Sequence, residues 1–187
     1  MKLIFKQRLF SLLDSYDIYD QFGNTVYTVK GKLSWGHKLH IMDKNGVHIG
    51  TVKQVWLTFL PAFELYENDN YIGRVDKKLT LFKPSYEIDF NGWKVSGNIL
   101  EWDYVIKDRT GKKVAVISKE VFKLTDTYVI DVVNDADALY ALMFTLAIDA
   151  EKCSRNTNVQ FTLILYLFEK YGIIIKTILE VILWVVY

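Results

Sequence analysis

Eleven consecutive residues without a charge run from Ala138 to Ile148 and read ALYALMFTLAI. Their apolar side chains are not confined to one stripe of a helix, and a helix of this kind has to be buried on all sides. The stretch is too short to cross a bilayer, which needs about 20 apolar residues. Asn134 and Asp135, just before it, are residue types that cap helix N-termini. We therefore predict a buried helix over residues 135–151.

The chain before this helix repeats one short pattern. In most copies an aromatic residue is followed two positions later by an aliphatic one, as in Tyr16-Asp17-Ile18. Polar turns and then alternating strands follow, which is typical of antiparallel hairpins. We predict five such hairpins. The aliphatic anchors are Ile18, Ile41, Leu65, Ile88, Ile106 and Ile130, and the turns lie at residues 20–24, 43–46, 67–70, 91–92 and 108–111.

About a dozen strands and one helix that is apolar all round predict an α+β fold that is mainly β. We expect an antiparallel closed barrel that encloses the helix of residues 135–151, because closure removes sheet edges and a large barrel needs a filled interior. The alternative is an open β-sandwich with the helix on one face. That arrangement would leave the far side of the helix in water.

The composition excludes several classes of protein. With 51% hydrophobic residues and two prolines, the chain is not disordered or of low complexity. Its 23 basic and 22 acidic residues show no surplus of the kind that binds nucleic acid. One cysteine, Cys153, excludes a disulfide framework. Lys2, Lys6 and Arg8 interrupt any early apolar run, so we predict a cytoplasmic protein without a signal peptide, or one peripheral to the membrane.

Several short motifs resemble those of the bacterial LURP-one-related proteins, an uncharacterised branch of the tubby C-terminal-like fold. The resemblance covers residues 1–153. The motifs are KLIFKQR (2–8), VKGK (29–32), WGHKLHI (35–41), FKPSYEI (82–88), WKVSG (93–97), DY (103–104), ISK (117–119), DTYVID (126–131) and LAIDA (146–150).

This resemblance implies a twelve-stranded barrel around a central hydrophobic helix. Tubby proteins bind phosphoinositides through a basic face, but no motif of this chain carries such a site over residue by residue. We predict a non-catalytic binding or scaffold module of the LURP-one-related type. The alternative is a phospholipid- or phosphoinositide-binding, membrane-associated domain.

The sequence offers no catalytic or metal-binding constellation. His37 and His40 are three apart on a predicted strand and point to opposite faces. His40 and His48 share a face only if the register between them allows it, and two histidines are fewer than the three or four ligands of a metal site. Glu64 and Glu67 are interpreted as solvated residues of a hairpin and its turn. Cys153 and the serines Ser34, Ser85, Ser96 and Ser118 lack nucleophile motifs, so we predict no enzyme, cofactor or metal.

Lysines form the main candidate binding feature, in three clusters. Lys30 and Lys32 alternate on one strand and so share a face with each other; Lys38 completes that cluster. For the lipid alternative, we predict that anionic headgroups bind the other two clusters. The competing interpretation is that lysines merely decorate exposed strands. The predicted lipid-binding residues are Lys77, Lys78, Lys83, Lys112, Lys113, Lys119 and Lys123.

Four tryptophans lie on predicted strands or at their ends. Packing in the core or between neighbouring strands is the first interpretation of Trp35, Trp56, Trp93 and Trp102, and stacking against a ligand is the second.

The composition changes after Asn158. Residues 154–160 are interpreted as a linker and residues 161–187 as a hydrophobic helical tail with one narrow polar stripe that contains Glu169, Lys176 and Glu180. These charges disfavour a spanning helix. We predict that the tail packs on the barrel or on a second copy, which gives self-association; the alternatives are a helix on the membrane surface and an extension without a role.

Overall fold

The computed structural model of the protein describes residues 1–6, 15–32, 37–78, 85–120 and 127–152. Met1–Ala150 form one compact unit. Twelve strands are described in it: β1 Lys2–Lys6, β2 Ser15–Tyr19, β3 Thr25–Lys32, β4 Lys38–Asp43, β5 His48–Gln54, β6 Ala62–Glu67, β7 Asn70–Lys78, β8 Ser85–Asp89, β9 Lys94–Asn98, β10 Asp103–Lys107, β11 Lys113–Glu120 and β12 Thr127–Val132.

All twelve strands belong to one antiparallel sheet, in the order β8-β7-β6-β5-β4-β3-β2-β1-β12-β11-β10-β9. The first strand pairs with the last, from Lys2 opposite Asp131 to Lys6 opposite Thr127. The two edges are therefore β8 and β9, which are consecutive in the chain and joined by residues 90–93. Four residues hold the edges close together, so the sheet is a nearly closed barrel. A single continuous sheet rules out the open sandwich.

One predicted hairpin is wrong. Among the described residues no ladder joins β8 to β9, although Asn91 and Gly92 between them have the expected left-handed backbone, with φ of 49° and 65°. Phe90 and Trp93 on either side of this pair are buried, and their rings lie 4.8 and 6.5 Å from that of Tyr140. These inward contacts hold the end of β8 apart from the start of β9. We call the unpaired gap between the two strands the seam of the barrel.

The aliphatic anchors of the repeat all lie in the core, as predicted. None is more than 8% exposed, and all six belong to one hydrophobic cluster, with inward-facing residues of the neighbouring strands. Alternation along each strand places one side chain inside and the next outside. Each copy of the repeat therefore brings the chain back to the same core and adds one aliphatic side chain to it.

The predicted helix begins where the sequence indicates. The side chain of Asn134 accepts a hydrogen bond from the backbone N–H of Ala136 at 3.3 Å, and a 3-10 turn follows over Asp135–Asp137. The α-helix α1 then extends over residues 138–152. Every residue from 141 to 148 is buried, as expected for a helix that is apolar all round. Met143 of α1 lies against Gly50 of β5, and the ring of Phe144 meets the ring of Tyr104 in β10 edge-on at 5.9 Å.

Three hairpin turns share one design built on an aspartate. Oδ1 of Asp20, Asp43 and Asp108 each accepts hydrogen bonds from the backbone N–H groups two and four residues later, at 2.8–3.0 Å. A glycine three residues after each aspartate has a positive φ, which glycine adopts without strain. Each turn is accompanied by a register shift in its hairpin. The same hydrogen-bond pattern therefore recurs in these three turns, just as the aliphatic anchors recur in the strands.

These turns predict an acid dependence of stability. Hydrogen bonds from the Asn24 side chain, the Val47 backbone and the Thr110 side chain are the largest causes that lower the pKa of Asp20, Asp43 and Asp108, respectively. A carboxyl with a lowered pKa in the folded state stabilises above its unfolded pKa and loses that contribution as the pH falls through the folded value. We expect the melting temperature to decline below about pH 4.

The triple variant Asp20→Asn, Asp43→Asn, Asp108→Asn separates charge from turn geometry, because asparagine keeps the acceptor oxygen. It should melt below the wild type at pH 7, with a difference that shrinks towards pH 3, as measured by circular dichroism. A difference that is independent of pH would contradict a role for the charges.

The linker predicted over residues 154–160, the tail predicted over residues 161–187 and Cys153 lie outside the described residues.

Candidate binding surface

The two ends of the barrel differ in character. We call the end with residues 55–61, between β5 and β6, the loop rim; β7 ends there at Lys78. The opposite end, with the turns that begin at Asp20, Asp43 and Asp108, is the turn rim. Because neighbouring strands are antiparallel, the position of a residue along its strand fixes the rim to which it is nearest.

The lysines predicted to bind lipid do not form one group. Lys77 and Lys78 end β7 and Lys119 lies near the end of β11, so all three are at the loop rim. Lys113 begins β11 and Lys112 precedes it, so both are at the turn rim. Six residues of strand separate Lys113 from Lys119, about 20 Å at 3.3 Å per residue. Lys83 and Lys123 lie outside the described residues.

A different set of lysines is brought together by strand register. Lys32 of β3 lies directly opposite Lys38 of β4, and Lys38 lies directly opposite Lys53 of β5. These residues, which we call the lysine row, follow the outer face near the loop rim. The sequence pattern groups Lys30 and Lys32 with Lys38 but does not indicate Lys53, because the pairing of β4 with β5 depends on a register shift between Ile41 and Met42.

The same register shift resolves the question left open for the histidines. His40 and His48 share the outer face, and their rings stack at 4.3 Å with an interplanar angle of 17°. Burial, followed by the charges of His48, Lys38 and Lys32, lowers the pKa of His40, whereas Asp69 acts in the opposite direction. His40 is therefore neutral at pH 7. Nε2 of His48 lies 2.9 Å from both the Gly50 carbonyl and the Thr51 hydroxyl.

His37, the third histidine, lies just before β4, and its backbone is tied to Gln54 of β5. Its burial lowers its pKa. Within the described ranges, no group of three or more His, Cys, Asp or Glu side chains is placed to hold a metal ion.

The candidate catalytic glutamates and serines that the structure describes lie on strands. Glu64 lies on β6, where it accepts a hydrogen bond from Tyr66 at 2.7 Å, and this bond raises the pKa of Tyr66 to about 12. Glu67 accepts a hydrogen bond from Tyr140 of α1 at 3.0 Å. Both glutamates thus pair with tyrosines. Ser96 and Ser118 are exposed strand residues, Ser85 begins β8, and Ser34 lies outside the described residues.

Apolar side chains project from the loop rim between β5 and β6. Leu57 is 95% exposed, Phe59 91% and Trp56 50%. Core packing, predicted for the tryptophans, is confirmed for Trp93 and Trp102 and wrong for Trp56; Trp35 lies outside the described residues. The signal in the sequence is the run VWLTFLP over residues 55–61, which does not alternate and ends in proline.

This loop is held in place. The backbone N–H of Val55 donates to the carbonyl of Ala62 at 2.8 Å, and that of Lys77 in β7 donates to the carbonyl of Pro61 at 3.1 Å. Leu57 has a φ of 59°, a conformation that costs a non-glycine residue about 1–2 kcal/mol. The fixed base of the loop keeps its apolar side chains outside the core. No helix in the described part of the chain is long and apolar enough to span a membrane.

Comparisons with known proteins agree with this architecture. A model of the LURP-one-related family matches residues 1–149. The chain is 25% identical over 150 residues to the uncharacterized protein YxjI of Bacillus subtilis (strain 168), a match that covers 80% of this chain and 92% of YxjI. An X-ray structure of a protein from Arabidopsis thaliana has the same fold, with a TM-score of 0.53 and 16% identity over 79% of this chain and 90% of that one. The family match extends over the barrel strands and most of α1, and the chain therefore belongs to the LURP-one-related family.

Proposed function

We propose that the domain is a non-catalytic binding module whose loop rim docks on the surface of an anionic phospholipid membrane. The observation that carries this proposal is the exposure of Trp56, Leu57 and Phe59 on one anchored loop. Soluble domains rarely expose large apolar side chains side by side unless something covers them. A lipid interface suits such side chains, because aromatic rings favour the headgroup level and aliphatic ones the acyl boundary.

The charges beside the loop favour a membrane over an apolar protein surface as its partner. Lys53 lies near the end of the strand that leads into the loop, and Lys77 and Lys78 end the strand to which the loop is anchored. A lysine near an anionic leaflet contributes about 1 kcal/mol of attraction. Apolar insertion and lysine attraction thus act on the same rim. A scaffold function towards a protein partner is the other outcome of the test below.

The test is flotation with liposomes of phosphatidylcholine alone and of phosphatidylcholine with phosphatidylglycerol. We expect binding to the anionic liposomes only, and weaker binding in high salt. The variant Leu57→Ser, Phe59→Ser should bind at least tenfold more weakly, since inserting a large apolar side chain contributes about 1.5–3 kcal/mol.

Two matched controls lie at the turn rim. Phe22 is 80% exposed there, and Phe22→Ser should bind like the wild type. Lys112→Gln, Lys113→Gln should also leave binding unchanged, whereas Lys77→Gln, Lys78→Gln should weaken it. Absence of binding to either liposome would refute the membrane proposal and favour a protein partner.

We also propose that α1 is enclosed by the barrel. Its consecutive residues Met143 and Phe144 contact β5 and β10, which have six strands between them in the sheet. A flat sheet would place these two strands more than about 30 Å apart, whereas a helix is about 10–12 Å wide. Contacts on both strands support a sheet that curves around the helix.

A further inference from the structure

We propose that the lysine row, Lys32, Lys38 and Lys53, is a binding site for a ligand that carries two or more linked phosphate groups. The site lies on the outer face of β3, β4 and β5. Its chemistry does not depend on insertion of the apolar loop, so the inference stands apart from membrane docking.

The strand register places the three lysines side by side. Directly opposed residues of neighbouring antiparallel strands have Cβ atoms about 4.5–5.5 Å apart, and like charges in this position destabilise the sheet. Lys38 has a lysine on both sides. The Cα atoms of the three lysines thus span about 10 Å, the width of two strand spacings. An anion that bridges them would relieve the repulsion.

The pattern of charges changes along the same cross-strand row. Beyond Lys53 the row continues through Glu64 of β6, Arg74 of β7 and Asp89 of β8, so the charges alternate in sign there. Lys53 forms an ion pair with Glu64 at 3.6 Å. Towards β3 the alternation is lost, and within the described part of the chain neither Lys32 nor Lys38 has a carboxylate at ion-pair distance.

A second row of outward-facing residues lies beside the lysine row. One step along the same face, Lys30 of β3 lies opposite His40 of β4, and His40 lies opposite Thr51 of β5. This second row adds another lysine, and the stacked neutral His40 adds no negative charge. Among the described outward-facing residues of the two rows on β3 and β4 none is a carboxylate, and Asp69 is the acidic residue that acts on His40.

The residue type indicates which anion fits. Planar carboxylates are bound best by the fork of arginine, whereas lysine acts as a point charge and is a common phosphate ligand. A single phosphate group can contact two adjacent lysines of the row. Two or three linked phosphates can contact all three, which is why we assign the site to pyrophosphate-like groups, whether free or in a lipid headgroup.

The test is isothermal titration calorimetry of the full chain with inorganic pyrophosphate, tripolyphosphate and orthophosphate. We expect pyrophosphate and tripolyphosphate to bind at least tenfold more tightly than orthophosphate. Lys38→Gln, the central member of the row, should weaken pyrophosphate binding at least tenfold. Lys44→Gln is the matched control, because Lys44 is an exposed lysine of the same hairpin at the turn rim.

A second readout separates binding from folding. Removing the middle charge relieves repulsion, so Lys38→Gln should melt at the same temperature as the wild type or higher while it loses the ligand. A lysine with a purely structural role would give the opposite change in melting temperature. Pyrophosphate affinity that is equal in Lys38→Gln and the wild type, or no pyrophosphate binding by the wild type, would overturn the proposal.

Competition identifies the source of the phosphate groups. If pyrophosphate displaces the protein from liposomes that contain diacylglycerol pyrophosphate, the row binds headgroups; if pyrophosphate binds without displacing the protein, the ligand is soluble. Leu57→Ser, Phe59→Ser should retain full affinity for pyrophosphate in both cases. Absence of liposome binding by the wild type, with pyrophosphate binding intact, would therefore refute membrane docking and leave the phosphate site supported.

Discussion

Replacing Leu142 with aspartate is expected to unfold the domain. Leu142 lies in the middle of α1 and has no solvent exposure, and the residues on both sides of it are buried as well. An unpaired carboxylate at such a position costs about 3–5 kcal/mol or more. A domain of this size has a total stability of about 5–15 kcal/mol. The variant should lose most of its near-ultraviolet circular dichroism and its cooperative thermal transition.

Leu142→Met is the matched control, since it conserves volume and should cost less than about 1.5 kcal/mol. The pair of variants distinguishes a change in charge from a change in shape. If Leu142→Asp kept the melting temperature of the wild type, α1 would not be a helix enclosed by the barrel.

Gly73→Ala should lower the free energy of unfolding by about 3 kcal/mol, at the upper end of the usual range for overpacking. A Cβ atom on Gly73 in β7 would overlap the backbone carbonyl oxygen of Asp89 at the end of β8 and the Cβ of Phe90. A carbonyl in the strand ladder cannot rotate away as a flexible side chain can. The strain would therefore separate β7 from β8 next to the seam of the barrel.

Gly46→Ala is the control for this prediction. Gly46 has a φ of 78° and open space around its Cβ position. Alanine there would therefore lower the free energy of unfolding only by the cost of its left-handed backbone, about 1–2 kcal/mol. Urea denaturation gives both values from the midpoint and slope. A Gly73→Ala variant that is more stable than Gly46→Ala would mean that β8 can move away from β7 at little cost.

Gly46 and Gly73 differ in how much of their role the neighbouring sequence indicates. Gly46 follows Asp43 by three residues, and that spacing is recognisable because a turn is local in the chain. Gly73 is a glycine in a strand, and nothing near it in sequence indicates the backbone that approaches it. The contact joins β7 to the end of β8, after a segment whose length does not determine the register.

On the candidate binding surface, too, some features follow from the local sequence and others depend on strand register. That Lys30 and Lys32 share a face follows from the two-residue period of a strand. That Lys53 joins Lys38 depends on one extra residue in β5, and the same shift stacks His40 on His48. The exposure of Trp56 was not anticipated, because an apolar residue at the end of a strand is usually buried. A fixed loop base, with Leu57 in a left-handed conformation, holds it outside.

Local chemistry within the amino-acid sequence was sufficient to determine the aspartate turns, the buried aliphatic anchors, the cap at Asn134 and the apolar helix, because each depends on neighbours along the chain. The resemblance of its motifs also indicated the family. Tertiary structure alone decided the seam between β8 and β9, the lysine row and the apolar loop rim. These depend on strand register and on the curvature of the sheet, and both are set by packing between residues far apart in the chain.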